Sequence, residues 1–420
     1  MPKLSPGVQV NELDYSQYVA KISTSIVGMI GVASWGPLDK RTYCSSEQGF
    51  IAGFGRPLDP DLNIFYHATH AALQFLKDGS QLWFTRVGTT SGQGALAKAT
   101  KTLKMSSGAV SCLDVTAFYH GTLGNRIQIR ISASADGDSD HFKLEVLLAA
   151  VGNGITNEVL EVYPAVSADP SDTGSNYPTS PLTKFKQLSH INAESKYIQL
   201  ASNASATGTK RPDNTNLTTY PYGEALAGGS DGLLTEAVVI GTADSATGLY
   251  QFRYTDQVDI NILTIPGYPG TDNACVNAGI QLCEARQDCI YIIDPPNYVT
   301  VQEVVDWSNG VGVSSQALNS SYAALYWPWI NYYDAYNKKF VTCPPSGWVA
   351  GKYAYNDRVA GAQFAPMGLK RGRMTLPTSI TKITTEGDRE LLYGNNNIVN
   401  TIANFPQFGI VIWGQRTTQR

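Results

Sequence analysis

Apolar residues near the start of the chain form short blocks that are typical of buried strands, with a helical block between them. Residues 25–33 are mostly apolar and lead into a Trp-Gly-Pro turn, which predicts a buried strand. From 63 to 76 the apolar residues recur at helical spacing, and Gly79 follows as a stop signal. Residues 82–87 predict another strand. The order strand, helix, strand indicates an α/β layer.

The pattern changes to a two-residue period in the middle of the chain, between residues 91 and 228. Residues 126–131 and 142–147 alternate apolar and polar side chains, and turns rich in Ser, Thr, Asn, Asp and Gly separate such stretches. Short alternating strands with frequent turns predict an all-β module. The polar stretches 165–181 and 202–222 are predicted to be loops.

Apolar strands and helical stretches alternate again after this β module. Strands are predicted at 262–266, 289–296 and 321–328, with helices near 271–286 and 300–315. Continuous apolar strands that alternate with helices are typical of a parallel sheet covered on both faces. The sequence therefore predicts an α/β domain that is interrupted by a β insertion.

The first twenty-odd residues differ from the rest of the chain. Val8-Gln9-Val10-Asn11 alternates with period two, which is typical of a half-buried strand. A single terminal strand cannot satisfy its own backbone hydrogen bonds, so it must pair with a sheet. The residues alone leave open whether that sheet belongs to the same subunit or to a neighbouring one.

Composition and charge argue against several classes of protein. The chain has 43% hydrophobic and 16% charged residues, 23 tyrosines and a net charge of −4, with no long run of Lys or Arg. Such a chain lacks the basic footprint that binds nucleic acid. It also lacks both the apolar stretch of a signal peptide at its start and a run of about 18 apolar residues. We therefore expect a cytoplasmic protein without a membrane helix.

The six cysteines predict buried free thiols rather than a disulfide framework, because none forms a Cys-x-x-Cys pair and the chain is long. They are Cys44, Cys112, Cys275, Cys283, Cys289 and Cys343.

Candidate catalytic groups are few, and each has a simpler structural interpretation. His67 and His70 are three residues apart and could share a metal, but no nearby Cys or Glu completes a ligand set, so we expect both on a helix surface. Asp294 follows a predicted strand, where α/β enzymes place catalytic groups. Asp357-Arg358 is expected to be a local salt bridge.

Ser346 is a candidate nucleophile through expected exposure alone, because no base can be identified beside it. No dinucleotide-binding or P-loop motif occurs in the sequence. We therefore predict no catalytic, cofactor or metal site, and a protein that is not an enzyme.

Several passages resemble the tail sheath proteins of contractile-tailed phages, and they occur in the family's order. The first half carries 5–12 (similar to S-P-G-V-x-V-x-E), 27–37 (V-G…G-P), 50–55 (F-x-x-x-F-G), 75–87 (F-L-x-N-G…R-V, with Asp78 where Asn is frequent) and 121–125 (G-x-x-G-N). The second half carries 226–232 (L-x-G-G-x-D-G), 326–329 (Y-W-P-W), 344–351 (P-P-S-G-W-V-A-G), Tyr353-Ala354, Asp357-Arg358, Ala365-Pro366 and 413–417 (W-G-Q-R-T).

The resemblance implies a subtilisin-like α/β domain without a working protease triad, carrying a β-sandwich insertion. The expected organisation is an extended N-terminal arm at 1–22, an α/β sheath domain at 23–90 and 229–420, and an outward-facing insertion at 91–228. The resemblance also assigns Val8, Val10 and Leu13 to an arm that pairs with a neighbouring subunit. Family members usually continue into a C-terminal domain and a second arm, so the end at Arg420 suggests a truncated chain.

The function that the resemblance implies is structural. The chain would polymerise in stacked rings or a helix around a tail tube and contract to drive the tube through the host envelope. The expected partners are further copies, the tail tube protein, and the baseplate and tail terminator proteins, in a virion assembled in the host cytoplasm. A phage-derived injection system or tailocin sheath is the alternative. Hypotheses from other classes are a serine hydrolase using Ser346 and a carbohydrate-binding or capsid-decorating β module at 92–228.

Overall fold

The computed structural model describes residues 25–92, 94–105, 110–150, 157–169, 185–203, 211–312, 317–394 and 397–420. The predicted strand at Val8–Asn11, and with it Leu13, lies outside these residues. The first part of the chain forms β1 Val27–Gly31, β2 Arg41–Cys44, α1 Glu47–Phe54, α2 His67–Asp78 and β3 Leu82–Arg86.

The middle of the chain is rich in strands, with one short helix and a 3-10 turn at Thr122–Arg126. The elements are β4 Thr100–Lys104, β5 Ser111–Ala117, β6 Ile127–Ala133, β7 Phe142–Leu148, β8 Glu158–Ser167, β9 Lys186–Gln187, α3 Leu188–Glu194, β10 Ile198–Ser202 and β11 Glu224–Ala225. We call β4–β11 with their connections the β-rich segment.

The last part alternates strands and helices, with 3-10 turns at Gly248–Phe252 and Thr271–Asn273. The elements are α4 Glu236–Ile240, β12 Ile262–Thr264, α5 Ala274–Arg286, β13 Ile290–Ile293, α6 Val301–Ser308, β14 Ala323–Trp327, β15 Ile330–Asp334, β16 Lys339–Cys343, α7 Ser346–Val359, α8 Gly368–Arg371, β17 Ser379–Ile380, α9 Glu386–Tyr393, β18 Val399–Phe405 and β19 Gly409–Ile412.

An eight-stranded sheet in the order β19-β18-β14-β13-β12-β1-β3-β2 forms the centre of the α/β part. Its six inner strands are parallel, and β1 pairs with β3 on one side and β12 on the other. The two edge strands, β2 and β19, are antiparallel to their neighbours. The sheet thus combines strands that precede the β-rich segment with strands that follow it, as the sequence pattern predicts.

Both faces of this sheet are covered, because each carries its own apolar core. Residues of α1, α2 and α7, such as Phe50, Phe75 and Trp348, belong to one core. Residues of α4, α5 and α6, such as Val239 and Val276, belong to the other. The strands alternate between the two cores, since Met29 faces the first and Ile30 the second. This confirms the prediction of a parallel sheet buried on both sides.

Two glycines allow α2 to lie close to its neighbours. A Cβ at Gly31 of β1 would lie 2.0 Å from the Cβ of Ala68 in α2. A Cβ at Gly347 of α7 would lie 2.5 Å from the carbonyl oxygen of Ala71. Helix α2 is therefore enclosed between the sheet and α7, with no room for larger side chains at either contact.

The β-rich segment has a third core between two sheets. Strands β10-β5-β4 form one sheet and β11-β6-β7-β8-β9 the other. Val115 from the first sheet and Ile129 and Leu144 from the second belong to the same fully buried cluster. The predicted strands at 126–131 and 142–147 are confirmed as β6 and β7.

Some boundaries differ from the sequence predictions for local reasons. Helix α2 begins at His67 rather than at residue 63, because the Asn63 side chain accepts a 2.8 Å hydrogen bond from the backbone N–H of Phe65 in a preceding turn. Helix α6 ends at Ser308, just before Gly310, whose φ is +75°. The stretch predicted as a loop from 165 begins later, because β8 extends to Ser167.

Candidate functional site

Asp294 lies at the carboxyl end of β13, where the sequence placed a candidate catalytic group, but it is buried and bound to backbone. Its carboxylate accepts a 3.0 Å hydrogen bond from the N–H of Ser346 and a 3.3 Å hydrogen bond from the N–H of Gly267. Burial raises the pKa of Asp294 to about 7, and the hydrogen bonds from these two N–H groups oppose that shift. Asp294 therefore ties the sheet to the start of α7 and to the loop after β12.

The expectation that Ser346 is exposed is wrong. It is the first residue of α7, it is fully buried, and its hydroxyl has no hydrogen-bond partner among the described residues. The cause is the close contact of the next residue, Gly347, with Ala71 of α2. An activated nucleophile needs access for a substrate, and the buried Ser346 has none in this arrangement.

The prediction that His67 and His70 lie on a helix surface is also wrong, because α7 and the β15–β16 sheet cover α2. The ring of His70 is fully buried; its Nε2 lies 2.8 Å from the carbonyl oxygen of Leu58 and its Nδ1 contacts the Tyr332 hydroxyl. His67 packs edge-on against Trp329.

Burial lowers the pKa of both imidazoles, to about 3 for His67, so both rings are neutral near pH 7. With Nε2 donating to Leu58, Nδ1 of His70 accepts from Tyr332. Within the described residues no group of three His, Cys, Asp or Glu side chains could hold a metal ion.

The Asp357-Arg358 pair does not form the expected local salt bridge among the ion pairs of the described residues. The Asp357 carboxylate accepts a hydrogen bond from the Ser25 hydroxyl at the start of the described chain. The Arg358 guanidinium lies 3.4 Å from the carbonyl oxygen of Asp78 and beside the Tyr355 ring. Both residues thus bind α7 to other segments.

The motifs that border the β-rich segment meet at one place, which we call the junction cluster: Gly36, Arg86, Gly121, Thr122, Asn125, Gly229 and Asp231. The Asp231 carboxylate accepts from the N–H of Thr122 at 2.6 Å and from its hydroxyl at 2.8 Å. Asn125 and Gly229 exchange two hydrogen bonds, side-chain amide to carbonyl at 2.9 Å and N–H to side-chain oxygen at 2.7 Å. The segments by which the chain enters and leaves the β-rich segment are therefore hydrogen-bonded to each other.

Arg86, at the end of β3, joins this cluster to the central sheet. Its buried guanidinium donates through Nη1 to the carbonyl oxygens of Gly36, at 2.9 Å, and His120, at 2.7 Å. Burial lowers the pKa of Arg86 to about 10, and the nearby Asp231 carboxylate opposes that shift. The arginine stays charged, so it acts as a fixed donor to two loops.

The W-G-Q-R-T passage near the end of the chain lies beside an open groove. Arg416 and Asn400 exchange hydrogen bonds of 2.6 and 2.7 Å, and the Arg416 guanidinium lies 3.8 Å from the centre of the Tyr393 ring. Tyr393 and the partly exposed Trp413 line the groove, whose volume is about 920 Å³. These contacts hold the last residues against α9 and β18.

The aromatic residues of the passages 326–329 and 344–351 hold neighbouring segments in place. The indole N–H of Trp327 donates to the carbonyl oxygen of Tyr298 at 3.1 Å, and that of Trp329 to Pro295 at 2.8 Å. Trp348 of α7 packs edge-on against Tyr332 of β15. The roles of Arg86 and Asn125 were not evident from residue type alone, although both stand inside the motifs quoted above.

The described residues thus form a mixed α/β scaffold whose buried polar groups fix segments to one another. All six cysteines are buried free thiols, as predicted. Across the described ranges, every helix is too short or too polar to traverse a lipid bilayer.

Comparison with known proteins finds similarity to tail sheath proteins. Residues 239–418 match the phage tail sheath protein central domain. A tail sheath protein of Vibrio phage KVP40 is 21% identical over 99% of this chain and 83% of its own length. A tail sheath protein of Enterobacteria phage T4 is 22% identical over 72% of this chain and 48% of its own. Along nearly its whole length the chain is therefore similar to phage tail sheath proteins.

Solved structures share the fold. A sheath tail protein of Listeria innocua superposes with a TM-score of 0.54 at 14% identity, covering 94% of this chain and 69% of that one. A sheath tail protein of Desulfitobacterium hafniense superposes with a TM-score of 0.56 at 15% identity, covering 98% of this chain and 75% of that one. The mixed α/β fold with several sheets is therefore that of tail sheath proteins.

Proposed function

We propose that the chain is a structural subunit of a contractile tail sheath, which polymerises around a tail tube and contracts to drive the tube through the host envelope. The observation that carries this proposal is the alignment of a phage tail sheath protein over 99% of the chain. The arrangement of Asp294, Ser346 and His67 supports a role that is not enzymatic, because the serine is buried and the carboxylate binds backbone.

In the proposed architecture the α/β part, residues 23–90 and 229–420, is subtilisin-like and non-catalytic. The insertion at 91–228 is a β-sandwich that faces outward from the tube. The support is that strands on both sides of the insertion share one sheet, while β4–β11 form sheets of their own around a separate core. The polar turns of the insertion suit a surface that faces solvent.

The subunits are linked by the N-terminal arm, residues 1–22. Val8 and Val10 form the apolar face of a strand, with Leu13 just beyond the end of that strand. The strand is added to a sheet of a neighbouring subunit, where main-chain hydrogen bonds hold it. Head-to-tail contacts of this kind do not close between two copies, so they generate rings or helices. The arms keep the copies connected while the lattice changes.

Contraction is a rearrangement of nearly rigid subunits. The buried contacts of α2 with the sheet and α7, and the junction cluster, make each copy a rigid body. A signal from the baseplate lets these bodies move from a trapped, extended packing to a shorter and wider one. Repacked interfaces supply the free energy, so no nucleotide is needed. The other partners are the tail tube and tail terminator proteins, in a virion that assembles in the host cytoplasm.

Electron microscopy of the protein, alone and co-expressed with the tail tube protein, tests this function. The full-length protein should form tubular polymers, and Val8→Asp combined with Val10→Asp and Leu13→Asp should abolish them. The matched control is Gln9→Asp with Asn11→Asp, on the other face of the same predicted strand, which should still polymerise. A chain that forms no tubes with or without the tube protein contradicts the proposed function. Tubes that persist in the triple variant contradict the proposed role of the arm in linking subunits.

A further inference from the structure

Two of the six buried cysteines face each other. Cys283 lies in the last turn of α5 and Cys289 immediately precedes β13, and their sulfur atoms are 3.3 Å apart. Within the described residues, which include all six cysteines, the other four form no sulfur–sulfur contact of this kind. Cys112, for example, lies with its thiol against the carbonyl oxygen of Leu103.

The turn between the two cysteines is held in place from several sides. Gln287 has a φ of +64°, and its N–H donates to the carbonyl oxygen of Cys283 at 2.8 Å, which reverses the chain. Arg286 binds the Asp288 carboxylate through two 2.8 Å hydrogen bonds and also reaches the carbonyl oxygens of Phe252 and Val258. The short sulfur–sulfur distance is therefore built into the turn.

We propose that Cys283 and Cys289 are a modification site, at which a small-molecule disulfide such as oxidised glutathione converts the two thiols into an intramolecular disulfide bond. The sulfurs must approach from 3.3 Å to about 2.05 Å for the bond to form. The bond would fasten the end of α5 to the start of β13, beneath one face of the central sheet.

The reaction balances as two thiol–disulfide exchanges. The Cys289 thiolate attacks one sulfur of the small disulfide and releases one small thiolate. The Cys283 thiolate then attacks the Cys289 sulfur and releases the second. The two protein thiols lose two protons and two electrons, and the small disulfide becomes two small thiols. Cys289 reacts first because it is 5% exposed beside the exposed Gln287 and Asp288, whereas Cys283 is fully buried.

Oxidation is slow in the folded chain. The hydrogen bond between Cys283 and Cys289 and then burial raise the pKa of the Cys283 thiol, so little thiolate is present near neutral pH. The dithiol therefore persists in a reducing compartment and is converted by long exposure to an oxidising one. This proposal does not depend on the function proposed above.

Peptide mapping of the folded, reduced protein after incubation with oxidised glutathione tests the site. Remaining thiols are alkylated under denaturing conditions, and trypsin then cuts after Arg286, between the two cysteines. We expect residues 254–286 and 287–338 to be joined. The mass should be about 2 Da below the sum of peptide 254–286 alkylated once and unmodified peptide 287–338. Fragmentation should place the link on Cys283 and leave Cys275, on the same peptide, alkylated.

Variants make the test sharper. Cys283→Ala and Cys289→Ala should each abolish the link, and Cys275→Ala, a buried cysteine in the same helix, should leave it unchanged. Peptide mapping of the wild-type protein shows whether the link forms even where an alanine variant fails to fold. Full alkylation of both cysteines after prolonged oxidation overturns the proposal. So does a reaction that stops at a glutathione adduct, or a link from Cys289 to another cysteine.

Discussion

Buried polar side chains in this protein act as connectors between segments. Arg86 donates to the carbonyl oxygens of two loops, His70 bridges Leu58 and Tyr332, and Asp294 accepts from Ser346 and Gly267. Each would be expensive to bury without these partners. Their positions resemble those of catalytic groups because both uses require a polar side chain at a strand end or helix start.

Asp294 should make stability depend on pH. Its folded pKa, about 7, is raised above the ordinary value of 3.8, so its favourable contribution is present at low pH and is lost as the pH rises through 7. Between about pH 5 and pH 8.5 we expect the free energy of unfolding to fall by roughly 3 kcal/mol more in the wild type than in Asp294→Asn. Urea unfolding at both pH values measures this.

An exposed carboxylate provides the control for that measurement. Asp256→Asn, at the surface, should keep the wild-type pH dependence. Equal pH dependence in the wild type and Asp294→Asn would show that the buried carboxylate does not titrate in this range.

The residue-level predictions that failed have one cause. The sequence shows that residues 63–76 have a helical apolar face, but not that a second helix covers the other side. His70 and Ser346 look like surface residues in the sequence because they are polar. Both are buried because α7 packs on α2 at Gly347. The burial of a polar side chain depends on contacts between segments that are distant in sequence.

At the scale of elements, α2 and α7 make a close helix–helix contact. Gly347→Ala would place a Cβ 2.5 Å from the Ala71 carbonyl oxygen and 2.6 Å from its Cα, so one helix must shift. We expect a loss of roughly 1–3 kcal/mol of unfolding free energy. Gly387→Ala in α9 meets nothing within 4 Å and should instead gain about 0.5 kcal/mol. Chemical denaturation of both variants distinguishes the two effects, and equal stability would refute close packing at Gly347.

The junction cluster is testable in the same way. Asn125→Ala removes both hydrogen bonds with Gly229, which should cost about 1–2 kcal/mol and speed amide exchange in residues 226–232. Asn157→Ala also removes two hydrogen bonds, to Ala150 and Gln128, but inside the β-rich segment. Exchange mass spectrometry should therefore show the change at 226–232 only for Asn125→Ala. The same change in both variants would argue against a local role.

Elements with a strong period were predictable, and those fixed by distant pairing were not. Strands β1, β12 and β13 are mostly apolar, and β3 begins with three apolar residues, so their burial could be predicted from the sequence. Strand β2 is half exposed, and its pairing with β3 has no local signal. The small sheet β16-β15-β17 likewise joins residues far apart, such as Asn331 and Ser379.

The whole molecule consists of a sheet covered by helices and a segment with its own core, joined at the junction cluster. Deletion of residues 1–22 should leave this arrangement intact, because the ladders of the eight-stranded sheet form between strands from Val27 onward. We expect unchanged circular dichroism and a melting temperature close to that of the full chain, together with loss of tubular polymers. An unfolded deletion variant would mean that these residues belong to the subunit's own core.

The segments that lead into and out of the β-rich segment lie side by side. Ala97 pairs with Ser230, and Thr100 with Ala227, in antiparallel bridges. A segment whose two ends meet in this way can be exchanged for another, or replaced by a short loop, without displacing the strands that it leaves and rejoins. The α/β scaffold and the β-rich segment can therefore diverge separately in sequence.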